Sequence, residues 1–123
     1  MGLDTYASRS PGRIALAAAD RQAFEHAAIQ LCGSITSGLG DSSFRGKVYV
    51  DVVYRVTGTS LMAEWIPPEE VRDIAAAFER CDSARVAEES QSDRYPAAEI
   101  EILELRRFFC LCAERGLGLI GWW

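Results

Sequence analysis

Hydrophobic positions recur with a helical period at three places along the chain, and the first is residues 20–32. Its apolar side chains are three and four residues apart, which places them on one helical face; they are Phe24, Ala27, Ala28 and Leu31. Asp20 is a suitable N-cap, and Gly33 stands where a left-handed residue commonly follows a helix. We therefore predict a helix over residues 20–32.

Two further predicted helices begin at prolines. Pro67 stops the preceding segment, and Pro68 suits a first helical position before an apolar stripe of Val71, Ile74, Ala75 and Phe78. The last helix is predicted from Pro96 to the residue before Gly116, with an apolar stripe of Ile102, Leu105, Phe109 and Cys112. Its second half is apolar on all sides, so we expect that half to lie at the centre of the core.

Residues 44–57 fit two patterns. Every second position from Val48 to Val56 is apolar, as in a β-strand, yet positions 49, 52, 53 and 56 form a helical stripe that Gly58 can end. A strand would need residues 60–66 as its partner, and an isolated two-stranded hairpin is marginally stable in water. We predict a helix here, with a strand as the alternative.

The segments between these elements are polar or rich in small residues. We expect residues 1–12 to form a flexible N-terminal tail, residues 33–43 a flexible loop and residues 83–94 a mobile connector. Residues 117–123 leave the last helix as an extended segment, which either packs back on the domain or pairs as an edge strand.

Length and composition agree with one globular unit. The chain has 123 residues, of which 49% are hydrophobic and 25% charged, so a single domain over residues 1–123 is expected. We predict a mainly α fold, a single compact domain of about four helices, with a short β-hairpin or a C-terminal strand. An α+β fold is the alternative.

Negative charge is concentrated in one segment. The formal net charge is −5, and residues 82–104 hold seven acidic and two basic side chains, so the whole excess lies there. Such a segment disfavours nucleic acid, whose phosphates require clustered cations, and favours a protein partner with a basic surface. The predicted partner-binding residues are Glu88, Glu89, Asp93, Glu99, Glu101 and Glu104. The alternative is that these acids only solvate a loop and the start of a helix.

A second hypothesis places an anionic small molecule at residues 38–47. This stretch departs from a phosphate-binding loop, because five residues separate Gly40 from Gly46 and Val48 replaces the required Ser or Thr. The candidate ligand-binding residues are Arg45, Lys47 and His26, the single histidine of the chain. No acid is placed to orient the His26 ring, so we expect no catalytic residue. A protein that is not an enzyme is favoured, with an enzyme as the alternative.

The four cysteines do not follow a metal-binding pattern. Cys110 and Cys112 are two residues apart, which on a helix directs their sulfurs about 200° apart. Cys32 and Cys81 are single residues at predicted helix ends. We therefore predict buried free thiols, with no metal and no cofactor.

The remaining signals concern location and partners. The start of the chain has no secretory signal pattern, and its apolar runs are too short for a membrane span, so we expect a cytoplasmic protein. Twelve of the thirteen basic residues are arginine, which indicates a GC-rich, bacterial genome rather than a function. The first function hypothesis is an interaction module for a basic partner, of the inhibitor or immunity type. The others are an anionic-ligand binder or enzyme, and a homo-oligomer that associates through Trp122 and Trp123.

Overall fold

An antiparallel sheet joins the two ends of the described chain. The computed structural model describes residues 3–12, 16–33, 35–36 and 42–122. The strands in these residues are β1 (Asp4–Ser8), β2 (Ile35–Thr36), β3 (Ser42–Phe44), β4 (Trp65–Ile66) and β5 (Gly118–Trp122). Their order is β2-β3-β1-β5-β4, and β1 pairs with β5 along its whole length. The strands nearest the two chain ends therefore lie side by side inside the sheet.

Five α-helices lie in the described residues. They are α1 (Ala18–Ala27), α2 (Val50–Thr57), α3 (Pro68–Arg80), α4 (Ser83–Glu89) and α5 (Glu99–Glu114), and there are 3₁₀ turns at Gly46–Tyr49 and Ser90–Ser92. The α3 helix packs along α5, α4 packs on α5, and α3 also contacts β5. The predicted fold, mainly helical and compact with a small β component, is confirmed. Among the described residues, no helix has the length and apolar character needed to cross a bilayer.

The second half of α5 lies at the centre of the core, as predicted. The ring centroid of Phe108 lies 4.9 Å from that of Phe44, 5.4 Å from that of Phe24 and 5.9 Å from that of Phe109. Phe109 in turn lies 5.2 Å from Phe78 of α3. Aromatic pairs at these separations add to the free energy gained from burial. These rings therefore connect α1, β3, α3 and α5.

Local signals set the limits of α2. The N–H of Gly58 donates to the Tyr54 carbonyl (2.8 Å), and Gly58 has a φ of 76°, a left-handed conformation that costs glycine little. Val52 and Val53 are fully buried on the inner face of the helix. The prediction of helix over 44–57 is confirmed for residues 50–57. Phe44 instead belongs to β3.

The first helix is shorter than predicted. It ends at Ala27, and Ala28 takes the left-handed conformation (φ 49°) with its N–H donating to the Phe24 carbonyl (3.1 Å). Asp20 is the third helical residue rather than the N-cap. The prediction of helix to residue 32 is wrong because the backbone beyond Ala28 finds partners elsewhere. The N–H groups of Gln30 and Cys32 donate to side chains of α5 and of the 3₁₀ turn before α2.

The predicted flexible tail over residues 1–12 is wrong at Asp4–Ser8, which form β1 between β3 and β5. Leu3 and Ala7 are buried, so this short strand contributes to the core. Of the two alternatives for the segment after α5, packing back on the domain is the one found, as the strand β5 inside the sheet rather than at its edge. β5 pairs with β1 on one side and with the two-residue strand β4 on the other, and β4 forms that edge.

The predicted flexible loop over residues 33–43 contains paired backbone. Ile35 lies opposite Ser43 and Thr36 opposite Ser42 in the β2–β3 pair. Residues 34 and 37–41 lie outside the described residues. This pair adds a short β-hairpin to the fold.

The predicted mobile connector over residues 83–94 is wrong. It contains α4, where the Asp82 side chain accepts a hydrogen bond from the Arg85 N–H (3.2 Å) as N-cap. Ser90 follows the helix and is fully buried. Its hydroxyl donates to the Ala87 carbonyl (2.8 Å) and accepts from the Ala97 N–H (3.0 Å). These bonds hold a polar segment in place without a large apolar face.

Candidate functional site

An open groove of about 680 Å³ lies between α2 and the chain that follows α4. The residues that line it are Val50, Asp51, Tyr54, Arg55, Ser60 and Asp93. Four of them belong to α2. Because Val52 and Val53 face the core, the helical period turns Asp51, Tyr54 and Arg55 towards the groove. Tyr54 is 61% exposed, so its ring is available at the groove surface.

Asp93 is presented to the groove by the 3₁₀ turn after α4. Its N–H donates to the Ser90 carbonyl (2.9 Å), and Ser90 is itself anchored in the core. The Asp93 side chain is only 17% exposed. The backbone therefore holds this carboxylate in a defined place on the groove wall.

Arg55 spans the groove and binds Asp93 with two hydrogen bonds. Its Nη2 donates to Oδ1 (2.6 Å) and its Nε to Oδ2 (3.2 Å). Its Nη1 lies 3.9 Å from Oε2 of Glu89. The hydrogen bond to Asp93, more than any other interaction, raises the pKa of Arg55. The guanidinium therefore stays charged in the groove.

Carboxylates outnumber cations at this groove. Asp51, Glu89 and Asp93 all lie close enough to Arg55 to act on its charge. With Arg85, which pairs with Glu89, two guanidinium groups face three carboxylates, so these described residues keep an excess of one negative charge. Glu89 shares its charge further, because it also pairs with Arg85 (3.2 Å).

The six predicted partner-binding acids do not lie on one surface. Glu89 and Asp93 belong to the groove region, while Glu88 and Glu99 are exposed on α4 and at the start of α5. Glu101 is half-buried, and its Oε1 accepts from the Ala98 N–H (3.1 Å) at the start of α5.

Glu104 faces inward and is only 7% exposed, so it does not lie at the surface as a partner-binding acid would. Its Oε2 accepts from the Gln30 N–H (2.6 Å) and its Oε1 from Arg107 Nη1 (2.7 Å). Burial opposes ionisation of this carboxyl, but the bonds from Gln30 and Arg107 outweigh it and lower the pKa of Glu104. This side chain therefore links the segment just after α1 to α5.

Tyr49 supplies a second link between the same parts of the chain. Its hydroxyl donates to Oε2 of Glu101 (2.8 Å) and accepts from the Cys32 N–H (2.9 Å). Burial, followed by the neighbouring Glu101, raises the pKa of Tyr49. The phenol therefore remains protonated, as its donor role requires. Glu101 and Glu104, two of the six predicted partner-binding acids, are therefore engaged in contacts within the chain.

The candidate residues for an anionic ligand show one defined pairing. The Nε of Arg45 binds Oδ1 of Asp4 (2.9 Å) at the surface. Lys47 and His26 are exposed. Residues 38–41 of the predicted loop lie outside the described residues, so the loop contributes no geometry to this hypothesis.

The cysteines are free thiols in different surroundings. Cys112 is fully buried in the core, as predicted, whereas Cys32 is exposed, so the prediction that it is buried is wrong. The Sγ of Cys110 donates to Oε1 of Glu79 (3.1 Å), and burial together with that carboxylate raises the pKa of Cys110 to about 12. A thiol with so high a pKa is a poor nucleophile at neutral pH. In the part of the chain that the structure describes, no three His, Cys, Asp or Glu side chains are grouped to hold a metal.

A smaller groove of about 330 Å³ lies at the end of β5. It is lined by Pro11, Glu64, Ile120, Gly121 and Trp122. Trp122 is exposed, and Trp123 lies outside the described residues. Self-association through these two tryptophans stays a prediction.

Sequence reasoning missed the α2 side of the larger groove. Asp51, Tyr54 and Arg55 are at i, i+3 and i+4, so they form the outer stripe of α2 once residues 50–57 are read as a helix. That stripe was the available signal. Its pairing with Asp93 depends on how α4 docks.

Comparison with protein-family models, with curated proteins and with solved structures gives no match. The groove and its charges are therefore the features from which a function is inferred.

Proposed function

We propose that this protein is a small acidic interaction module of the cytoplasm, and that it binds a basic partner protein in the manner of an inhibitor or immunity-type protein. The groove between α2 and Asp93 is the binding site in this proposal. One observation carries it, namely that two carboxylates and an exposed tyrosine line the groove beside the Arg55 guanidinium, with a third carboxylate, that of Glu89, 3.9 Å from the same guanidinium.

The chemistry of the groove suits an arginine or lysine side chain. A carboxylate accepts paired hydrogen bonds from a guanidinium, and these are among the stronger hydrogen bonds in proteins. A tyrosine ring attracts a cation placed over its face. Asp51 and Tyr54 offer these two kinds of contact side by side at the groove surface. The acidic segment around Glu88 and Glu89 adds long-range attraction for a basic surface.

The test uses a short arginine-rich peptide and isothermal titration calorimetry. We expect binding that weakens as salt is raised, because exposed charges are screened over about 8 Å at physiological ionic strength. Asp51→Asn should weaken binding several-fold. Asp73→Asn is the matched control, because Asp73 is exposed on α3 and its loss changes the net charge equally.

Equal effects of Asp51→Asn and Asp73→Asn would show that the peptide responds to overall charge and not to the groove. A wild-type protein that fails to bind the peptide at low salt would overturn the proposal. A peptide with glutamine in place of arginine serves as the negative control.

The anionic-ligand hypothesis stays the second candidate. It predicts that phosphate or a carboxylate metabolite raises the melting temperature and that Arg45→Ala abolishes this effect. The described residues show Arg45 bound to Asp4 and add no further support.

A further inference from the structure

We infer that Arg55 is an internal placeholder in the groove, and that a basic partner binds by inserting its own arginine in place of the Arg55 guanidinium. This inference rests on the proposed function and specifies how the same site is regulated. The juxtaposition behind it is Arg55 seated on Asp93 inside a groove that is otherwise open.

The geometry of the existing pair is that of a guanidinium recognised by a binding site. Arg55 gives Asp93 two hydrogen bonds, one to each carboxylate oxygen. A second arginine cannot make the same paired contact while Arg55 occupies both oxygens. The position for a paired contact on Asp93 is therefore filled in the free protein.

The two members of the pair differ in freedom. Asp93 is 17% exposed, and its backbone is bound to the anchored Ser90. The Arg55 side chain is 33% exposed and long, so it can turn towards solvent without moving α2. The exchange would leave Asp93 in place and move only the Arg55 side chain.

An exchange of one guanidinium for another changes the number of ion pairs little. The net affinity then comes from the remaining contacts, with Asp51, Glu89 and the Tyr54 ring, minus the cost of releasing Arg55. Removal of Arg55 eliminates that cost and also one repelling charge. It should therefore strengthen binding of a basic ligand, in contrast to the loss expected for an ordinary contact residue.

The experiment measures binding of the same arginine-rich peptide to Arg55→Gln, Arg55→Lys and Arg72→Gln. Arg72 is exposed on α3 and outside the groove, so its variant matches the change in net charge. We expect Arg55→Gln to bind the peptide roughly five- to tenfold more tightly than wild type and Arg72→Gln less than about twofold. Arg55→Lys keeps the charge but lacks the planar fork, so it should give a smaller increase.

A further variant assigns the gain to Asp93. In the Arg55→Gln background, Asp93→Asn should return the affinity to the wild-type value or below. Circular dichroism melts verify that each variant is folded. Should Arg55→Gln fail to fold, the comparison of Arg55→Lys with wild type decides the question alone.

The outcomes separate this inference from the proposed function. If wild type binds the peptide in an Asp51-dependent manner but Arg55→Gln binds no more tightly, the placeholder role is wrong and the proposed function stands. Equal gains in Arg55→Gln and Arg72→Gln, with none in Arg55→Lys, would reduce the effect to net charge and also overturn the placeholder role. If neither wild type nor Arg55→Gln binds, both are wrong.

Discussion

Asp20 shows how a buried charge is held at the residue scale. The side chain is 1% exposed, and it accepts hydrogen bonds from Arg9 Nε (2.8 Å) and Arg115 Nε (2.7 Å). Burial alone would raise the pKa of Asp20, but the two arginines outweigh it and the pKa is lowered. The three residues tie the chain after β1, helix α1 and the end of α5 together.

Asp20→Asn should therefore destabilise the protein by about 2–4 kcal/mol at pH 7, because it leaves two guanidinium groups without their carboxylate. Urea denaturation checks this value. The contribution of Asp20 is fully present above its unfolded pKa of about 4 and is lost as pH falls through the lower folded pKa. The stability gap between wild type and variant should therefore narrow below about pH 4. A gap that stays constant between neutral and strongly acidic pH would contradict this account.

Gly46 is required by a close approach to β1. A Cβ at this position would lie 2.1 Å from Oγ1 of Thr5 and 3.2 Å from its Cβ. The Thr5 hydroxyl is buried and has no hydrogen-bond partner in the part of the chain that the structure describes. The contact is thus steric. Neither group can move far, because Thr5 lies in the paired strand β1 and the Lys47 N–H next to Gly46 donates to the Leu3 carbonyl (3.1 Å).

Gly46→Ala should cost about 1–3 kcal/mol, the usual range for overpacking a core. Thr5→Ala should cost less, because it removes a hydroxyl that gains no bond. The double variant tests the mechanism, since Thr5→Ala should recover part of the loss caused by Gly46→Ala. Additive losses in thermal or urea denaturation would show that the contact with Thr5 is not the source of the cost.

At the scale of elements, the strand β1 forms because of its partners in distant parts of the chain and not because of its own sequence. Asp4–Ser8 lie between β3 and β5, which come from distant parts of the chain. Five residues with one small buried alanine carry no strong strand signal by themselves. The same is true of α4, which is held by its N-cap and by Ser90 rather than by an apolar stripe. Hydrophobic periodicity alone therefore predicts both segments to be flexible.

Ala7→Asp tests the position of β1. Ala7 is buried and pairs with Leu119, so an aspartate there would place an unpaired charge in the core. We expect loss of at least about 3 kcal/mol, measured by urea denaturation. Ala17→Asp is the control, because Ala17 is the exposed N-cap of α1, where an aspartate is favoured and should not destabilise the protein. Equal stability of the two variants would favour a flexible tail.

At the scale of the whole molecule, pairing of β1 with β5 makes the ends of the described chain interdependent. β5 also contacts α3, and α3 packs on α5, so sheet and helices share one core. Neither end can be released without exposing apolar surface. Such coupling favours unfolding as one unit.

We therefore expect a single cooperative transition. Far-ultraviolet circular dichroism reports the helices, while tryptophan fluorescence reports Trp65 in β4, Trp122 in β5 and the adjacent Trp123. The two urea transitions should share one midpoint within error. An earlier fluorescence transition would mean that the sheet opens while the helices remain folded.

The candidate site was predicted in part. The acidic segment contributed Asp93 and Glu89, but Glu101 and Glu104 turned out to serve the packing of α5 on the segment after α1. A carboxylate in the first turns of a helix can face solvent or an adjoining backbone N–H. Which of the two the carboxylate faces depends on the segment that packs against the helix, and the sequence of the helix does not specify that segment.

The sequence by itself determined the features that depend on neighbours within a few residues. The start of α3 at Pro68, the end of α2 at Gly58 and the buried stripes of α3 and α5 all follow from backbone constraints and helical periodicity. Only the tertiary structure decided that β1 pairs with β5, that α1 ends at Ala27, and that Arg55 meets Asp93. The physical reason is that their partners are far apart in the chain. The favourable free energy of these contacts is gained only after the core has brought the partners together.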